Sequence, residues 1–342
     1  MTPVGSHGTH GASVIARLLA GLLGLVCLAG VAQAEPTADQ VLTEAGLSAA
    51  DKQSVTSGQF VNVSVAGVSE RDLAFAIAFL VKTPPAALAK QIVAGQLITA
   101  DTQVKAYGEL SGAGSLADFA RLTLTADEAK AFMKNMKSGD TLNLSTSEIA
   151  AFQKVADGAP AVQEQLRKML LARYQAYKAS GLAGITAYDR GGGRTGDPAG
   201  DLRKAGEGTK GLQKYLPAFQ KVLLGYPQAT LAGMEEKFFW MKSLIHGETT
   251  FVLSHVLVAA DGGARVAAKR EYYVSIGYNV EQTVAGFLPV QGGTVAITTV
   301  HAFTEQVTGM GGSMKRGIGS KVMAGKMKEI YEAAREKSQK TR

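Results

Sequence analysis

The chain has 342 residues, 46% of them hydrophobic and 19% charged, with a formal net charge of +7. That length supports a large core in one or two domains, and a single cysteine, Cys27, leaves no disulfide framework or multi-thiolate metal site. The basic residues have no interleaved aromatics for base stacking, which argues against a nucleic-acid partner.

Leu18 to Val31 is an apolar run preceded by Arg17 and closed by Ala32-Gln33-Ala34. It is too short for a permanent bilayer span, and Ala-x-Ala supplies the small side chains a signal peptidase needs. The sequence therefore predicts a signal peptide over 1–34, cleavage after Ala34, and a periplasmic or secreted protein starting at Glu35. Cys27 falls inside this leader, behind Gly24-Leu25-Val26, which is no lipobox. Outside the cytoplasm, chemistry driven by ATP or NAD is disfavoured, so no cofactor is expected and binding, envelope maintenance or hydrolysis remain.

Residues 35–160 read as a small α+β domain. A capping box, Ser or Thr followed three residues later by Asp or Glu, recurs at Ser48/Asp51, Ser69/Asp72, Thr125/Glu128 and Ser145/Glu148. The last two belong to a repeat: the pattern from Leu122 to Phe132 returns from Leu142 to Phe152 with Gly139-Asp140 as the turn between copies. Each copy predicts a strand leading into a helix. Residues 161–230 read as a helical connector, with helices over Ala161 to Ala179 and Gly211 to Leu224. Between them lies a glycine-rich loop, 189–200, that holds Arg190 and Arg194 and reads as a mobile, exposed linker.

From 231 the period changes to two. Strands are predicted over Phe238 to Ile245, Thr249 to Ala260, Ala264 to Ile276, Val280 to Val290 and Thr294 to Val307, with hairpin turns at Asp261-Gly262-Gly263 and Gln291-Gly292-Gly293. A helix from Gly312 to Glu336 follows, with the apolar line Met314, Ile318, Val322, Met327, Ile330, Tyr331 and Ala334 expected to pack inward. The overall fold class is α+β, a C-terminal antiparallel meander packed by a long terminal helix. This order is similar to that of helix-grip, START-like folds, a likeness that implies a cavity clasped between sheet and helix.

Five stretches also carry a resemblance: Ser69-Glu-Arg71-Asp72-Leu73-Ala74, the Leu122/Thr125/Gly139-Asp140/Leu142 block, Phe238-Phe239-Trp240, Ser254-His255, and Gly311-Gly312-Ser313 with Lys315-Arg316. Together they resemble an uncharacterised family of secreted bacterial proteins. The resemblance implies export and a two-part architecture, and it supplies no activity.

Each apolar strand face in the last part carries one polar head: His255 among Phe251, Leu253 and Leu257; His301 among Val295, Ile297 and Phe303; Arg270 among Val266, Ala268, Tyr272 and Val274. Buried without partners these groups would cost several kcal/mol, so they should meet one another, a carboxylate such as Glu271 or Glu305, or a ligand. The leading expectation is a non-catalytic binding protein for a small apolar or amphipathic, lipid-like ligand, with His255, His301 and Arg270 as the polar floor and Tyr272 and Trp240 as aromatic walls. A second expectation comes from charge. Residues 35–308 hold 26 basic and 26 acidic side chains, whereas 309–342 hold nine basic against Glu329, Glu332 and Glu336. The terminal helix, through Lys315, Arg316, Lys321, Lys326 and Lys328, would then dock on an anionic membrane or an acidic partner. A hydrolase ranks third. No Gly-x-Ser-x-Gly occurs, Ser254 points away from His255, His-Glu-x-x-His is absent with His246-Gly-Glu248 a lone hint of a metal site, and the glycines at 309–317 fail as a phosphate loop.

Overall fold

The computed structural model describes residues 36–245 and 247–340; the proposed leader, Cys27 and His246 lie outside the described residues. Capping boxes at Thr37 and Ser48 start helices α1 (Ala38–Glu44) and α2 (Ala49–Thr56). Strands β1 (Val61–Val63) and β2 (Asp72–Val81) follow, then α3 (Pro85–Val93), α4 (Gln96–Ala100) and β3 (Val104–Leu110). Ser69/Asp72 starts no helix. The run after it alternates Phe75, Ile77 and Phe79 with alanines, a period of two that makes β2 and turns the Asp72 carboxylate to another use.

The repeated units give α5 (Ala126–Lys134) and α6 (Thr146–Phe152), each opened by its predicted capping box. The segments in front of them are extended but not sheet strands; Leu142 makes only an isolated bridge to Ile276. They are spent instead on one shared core, where Leu122, Phe132, Leu142, Leu144 and Phe152 are all buried. Helix α7 (Ala159–Ser180) leads to a short ribbon, β4 (Tyr188–Asp189) and β5 (Thr195–Gly196), which the glycines 191–193 close in the left-handed region. Helices α8 (Pro198–Gly208), α9 (Lys210–Tyr215) and α10 (Pro217–Gly225) complete the middle; Pro217 splits the single helix predicted over 211–224. The glycine-rich segment is exposed from Gly192 to Thr195, as expected, but Arg190 anchors its start in the core. Arg190 is 4% exposed, donating to Asn143 Oδ1 at 2.7 Å and Asn279 Oδ1 at 2.8 Å, while Gly139 N–H donates to Asp189 O.

Strands β6 (Glu235–Ile245), β7 (Glu248–Asp261), β8 (Ala264–Val274), β9 (Val280–Val290) and β10 (Gly293–Phe303) form the predicted antiparallel meander, and α11 (Gly312–Lys340) closes the described chain. The sheet has eight strands in the order β1-β2-β10-β9-β8-β7-β6-β3. It draws from both sides of the divisions predicted at 160 and 230: β2 pairs with β10 from Asp72↔Phe303 to Val81↔Thr294, and β3 pairs with β6. The elements from α1 to α11 belong to one compact unit.

Both faces of the sheet are covered. One face carries α1 and α2 at the β1 end, α8–α10 over β8 and β9, and α5–α7 over β6 and β7. On the other, α3, α4 and α11 cover Phe75, Ile77, Phe79, Phe239, Met241 and Val256. Helix α11 packs on β2 and α4 through Met323, Ala324, Met327 and Tyr331, and its Gly319 lies so close to β2 that a methyl there would sit 2.9 Å from Leu73.

Candidate functional site

Cross-strand register joins the three predicted polar heads into one row. His255 stands opposite Arg270, Arg270 opposite Gln282, and Gln282 opposite His301; Phe238 and Ala74 end the row. Directly paired residues share a face, so all lie on the side covered by α7–α10. That is the side away from α11, so a cavity clasped by the terminal helix cannot have them as its floor. A bulge between Leu253 and Ser254 makes Tyr272 the extra residue, turning Tyr272 and Tyr273 to this face and Val274 to the other, against the simple alternation.

The row is satisfied largely from within. His255, 0% exposed, has Glu236 Oε2 at 2.9 Å from Nε2 and the Tyr177 hydroxyl at 3.2 Å from Nδ1. A carboxylate only accepts, which assigns the proton to Nε2 and makes Tyr177 O–H the donor to Nδ1. Burial pushes the imidazole down to about 4, against the pull of Glu236, while its hydrogen bond from His255 holds the Glu236 carboxyl below its ordinary value. Phe238 stacks on the ring at 4.1 Å, and Tyr177 stacks in turn on Tyr272 at 4.0 Å. This Tyr177–His255–Glu236 chain has the connectivity of a proton relay, yet its hydroxyl end is enclosed, since Tyr177 is 0% exposed. Arg270 Nε donates to Gln282 Oε1 at 2.9 Å, and His301 Nδ1 lies 2.8 Å from Asp72 Oδ2. The partners are thus Glu236, Gln282 and Asp72, in place of Glu271 and Glu305. Arg270 Nη2, Gln282 Nε2, Tyr272 Oη, His301 Nε2 and Asp72 Oδ1 are buried with no hydrogen-bond partner. Trp240 is core: its Nε1–H donates to Asp118 O at 2.8 Å.

Two further charged clusters were not read from the sequence. Arg71 bridges the buried Asp201 at 2.6 Å and Glu305 at 3.2 Å; these carboxylates outweigh burial and raise its guanidinium. On the opposite face Lys269 stands between Glu271 at 2.8 Å and Glu281 at 3.3 Å, with Tyr278 O–H donating to Glu271. Burial would lower Lys269, but the two carboxylates prevail and keep it charged. Lys269 and Glu271 flank Arg270 in sequence, so strand alternation was a usable signal for this second polar face.

Helix α11 departs most from expectation. Met314, Ile318 and Val322 do not pack inward: they are 72%, 59% and 60% exposed, and Met310 just before the helix is 98% exposed. Their four-residue spacing makes one outward stripe. Lys315 and Lys321, both exposed and without an ion pair among the described residues, border it on either side. The other basic residues are engaged: Arg316 donates to Glu70 O at 3.0 Å, Lys326 lies 3.4 Å from Asp101, and Lys328 lies 3.9 Å from Glu332. Later in the helix the predicted line holds: Met327 and Tyr331 face the sheet, joined by Met323 and Ala324, and Ala334 is buried.

Among the described residues no helix is long and apolar enough to cross a membrane, and no cluster of three or more His, Cys, Asp or Glu is placed to hold a metal ion. Comparison with models of protein families, with curated protein sequences and with solved structures finds no match to this chain.

Proposed function

We propose that this protein is a non-catalytic interaction protein of the cell envelope that docks on an anionic membrane surface through the outer face of α11. The observation that carries the reading is the exposed stripe Met310, Met314, Ile318 and Val322 bordered by Lys315 and Lys321, which have no ion pair among the described residues. Three large apolar side chains in line on one helix face, with Met310 exposed just ahead of them, are more than the scattered exposure of an ordinary surface. An amphipathic helix end of this kind lies in the interface plane, its apolar side chains among the acyl boundary and its lysines on anionic head groups. Each lysine near such a surface contributes about 1 kcal/mol.

Co-sedimentation with phosphatidylglycerol/phosphatidylcholine vesicles tests this. The protein should bind, weaken as salt rises, and lose on the order of thirtyfold in affinity in Lys315→Gln/Lys321→Gln. Ile318→Asp should abolish binding while the fold stays intact by circular dichroism. Equal binding to neutral vesicles, or binding unchanged by Ile318→Asp, would overturn the reading.

The unpartnered atoms of the His255–His301 row support a second reading, a small hydrogen-bonding guest held inside the sheet face under α7–α10. Native mass spectrometry of the purified protein would detect such a guest, and a mass equal to the bare chain would remove it.

A further inference from the structure

Of the exposed apolar residues at the start of α11, two are methionines, and the local backbone holds both out to solvent. Met310 sits between Gly309 and Gly311, each in the left-handed region at φ 73°, and Gly312 N–H donates to Gly309 O at 2.9 Å. That bond closes a four-residue turn with Met310 as its second residue and a glycine third, where positive φ is required. The Met310 thioether is thereby carried on a fixed turn, 98% exposed. Met314 follows in the first turn of α11, 72% exposed and in line with Ile318.

The other methionines among the described residues are sheltered. Met136, Met169 and Met241 are buried, while Met133, Met234, Met323 and Met327 are partly buried against the cores. Exposure decides which thioether an oxidant reaches first. A peroxide gives one oxygen to the sulfur: a sulfur lone pair forms the S–O bond and the O–O bond breaks. The proton left on the transferred oxygen passes to the departing hydroxide, which leaves as water. The sulfur is oxidised by two electrons and the peroxide is reduced by two. The product is a polar sulfoxide. Met310 and Met314 would then lose the apolar transfer that seats them at an acyl boundary, while Lys315 and Lys321 keep their charge.

We propose that Met310 and Met314 form an oxidative modification site: sulfoxidation by a peroxide releases α11 from the membrane, and reduction of the sulfoxides restores docking. This inference rests on the membrane-docking reading, whose contact surface it regulates.

The test treats the full chain with limiting hydrogen peroxide. Peptide mass spectrometry locates the added oxygen, circular dichroism follows the fold, and phosphatidylglycerol/phosphatidylcholine vesicles are sedimented before and after. Oxygen should appear first on Met310 and Met314, and vesicle affinity should fall at least roughly tenfold with the helical signal unchanged. Methionine sulfoxide reductases for both epimers should restore it. Met310→Leu/Met314→Leu keeps apolar bulk and lacks the sulfur, so its own untreated affinity should survive the same treatment. The proposal falls, with docking left standing, if oxygen goes first to Met323 or Met327, or if the oxidised chain sediments as the untreated one does. An equal loss in the leucine variant, or a loss of binding that accompanies a loss of helix, overturns it as well. If the untreated chain does not sediment with the vesicles, the docking reading itself fails and takes the switch with it.

Discussion

Acidification should weaken this fold through one residue, and the size of the loss can be worked out. His255 is 0% exposed and held neutral, its imidazole lowered from the ordinary 6.5 to about 4 by burial. Because the folded value lies below the unfolded one, the unfolded chain binds more protons between them, so the contribution is fully present above the unfolded value and is lost as pH falls through that window. Over the whole window the loss is ~3 kcal/mol, of which about 2 kcal/mol falls between about pH 7.5 and about pH 5. The lowered Glu236 carboxyl adds loss in the same direction at still lower pH. Urea unfolding of the wild type and of His255→Gln at these two pH values isolates the effect. The variant starts less stable, having lost the stack on Phe238, but should lack the ~2 kcal/mol dependence. The same pH dependence in both proteins would refute the assignment of a buried neutral histidine.

Other outcomes follow from packing and charge. A methyl at Gly108 would sit 2.5 Å from Trp240 Nε1, so Gly108→Ala should cost ~2–3 kcal/mol and red-shift the emission of the chain's one tryptophan. Arg71→Met strips the buried Asp201 of its partner and should cost ~3–5 kcal/mol in urea unfolding, most of it recovered in Arg71→Met/Asp201→Leu. Ile318→Asp, at a 59% exposed position, should change stability by no more than ~0.5 kcal/mol while removing vesicle binding.

Local physics made much of this protein legible from its sequence. Strand periodicity placed β6–β10 within a few residues, glycine pairs placed their hairpins, and three capping boxes placed the starts of α2, α5 and α6. Those signals depend only on neighbours along the chain. The fourth box, Ser69/Asp72, failed because the same hydrogen-bonding side chain has a non-local use: Asp72 meets His301, 229 residues away. Glu148 serves both ends at once, taking the Ser145 N–H at the start of α6 and pairing Arg173 of α7 at 2.6 Å.

What pattern could not decide was which surface each face would meet. The sequence by itself determined that His255, Arg270 and His301 stand on apolar strand faces and that the terminal helix is basic and amphipathic. Only the register across four strands, β7 to β10, put those heads in one row, and only the position of the other helices put that row on the side away from α11. The same holds for Met314, Ile318 and Val322: spacing marks a stripe, but whether a stripe is buried depends on the angular position at which the helix lands. Here Gly319 and Ala324 bring the opposite side of α11 against β2, and the apolar line is left facing out.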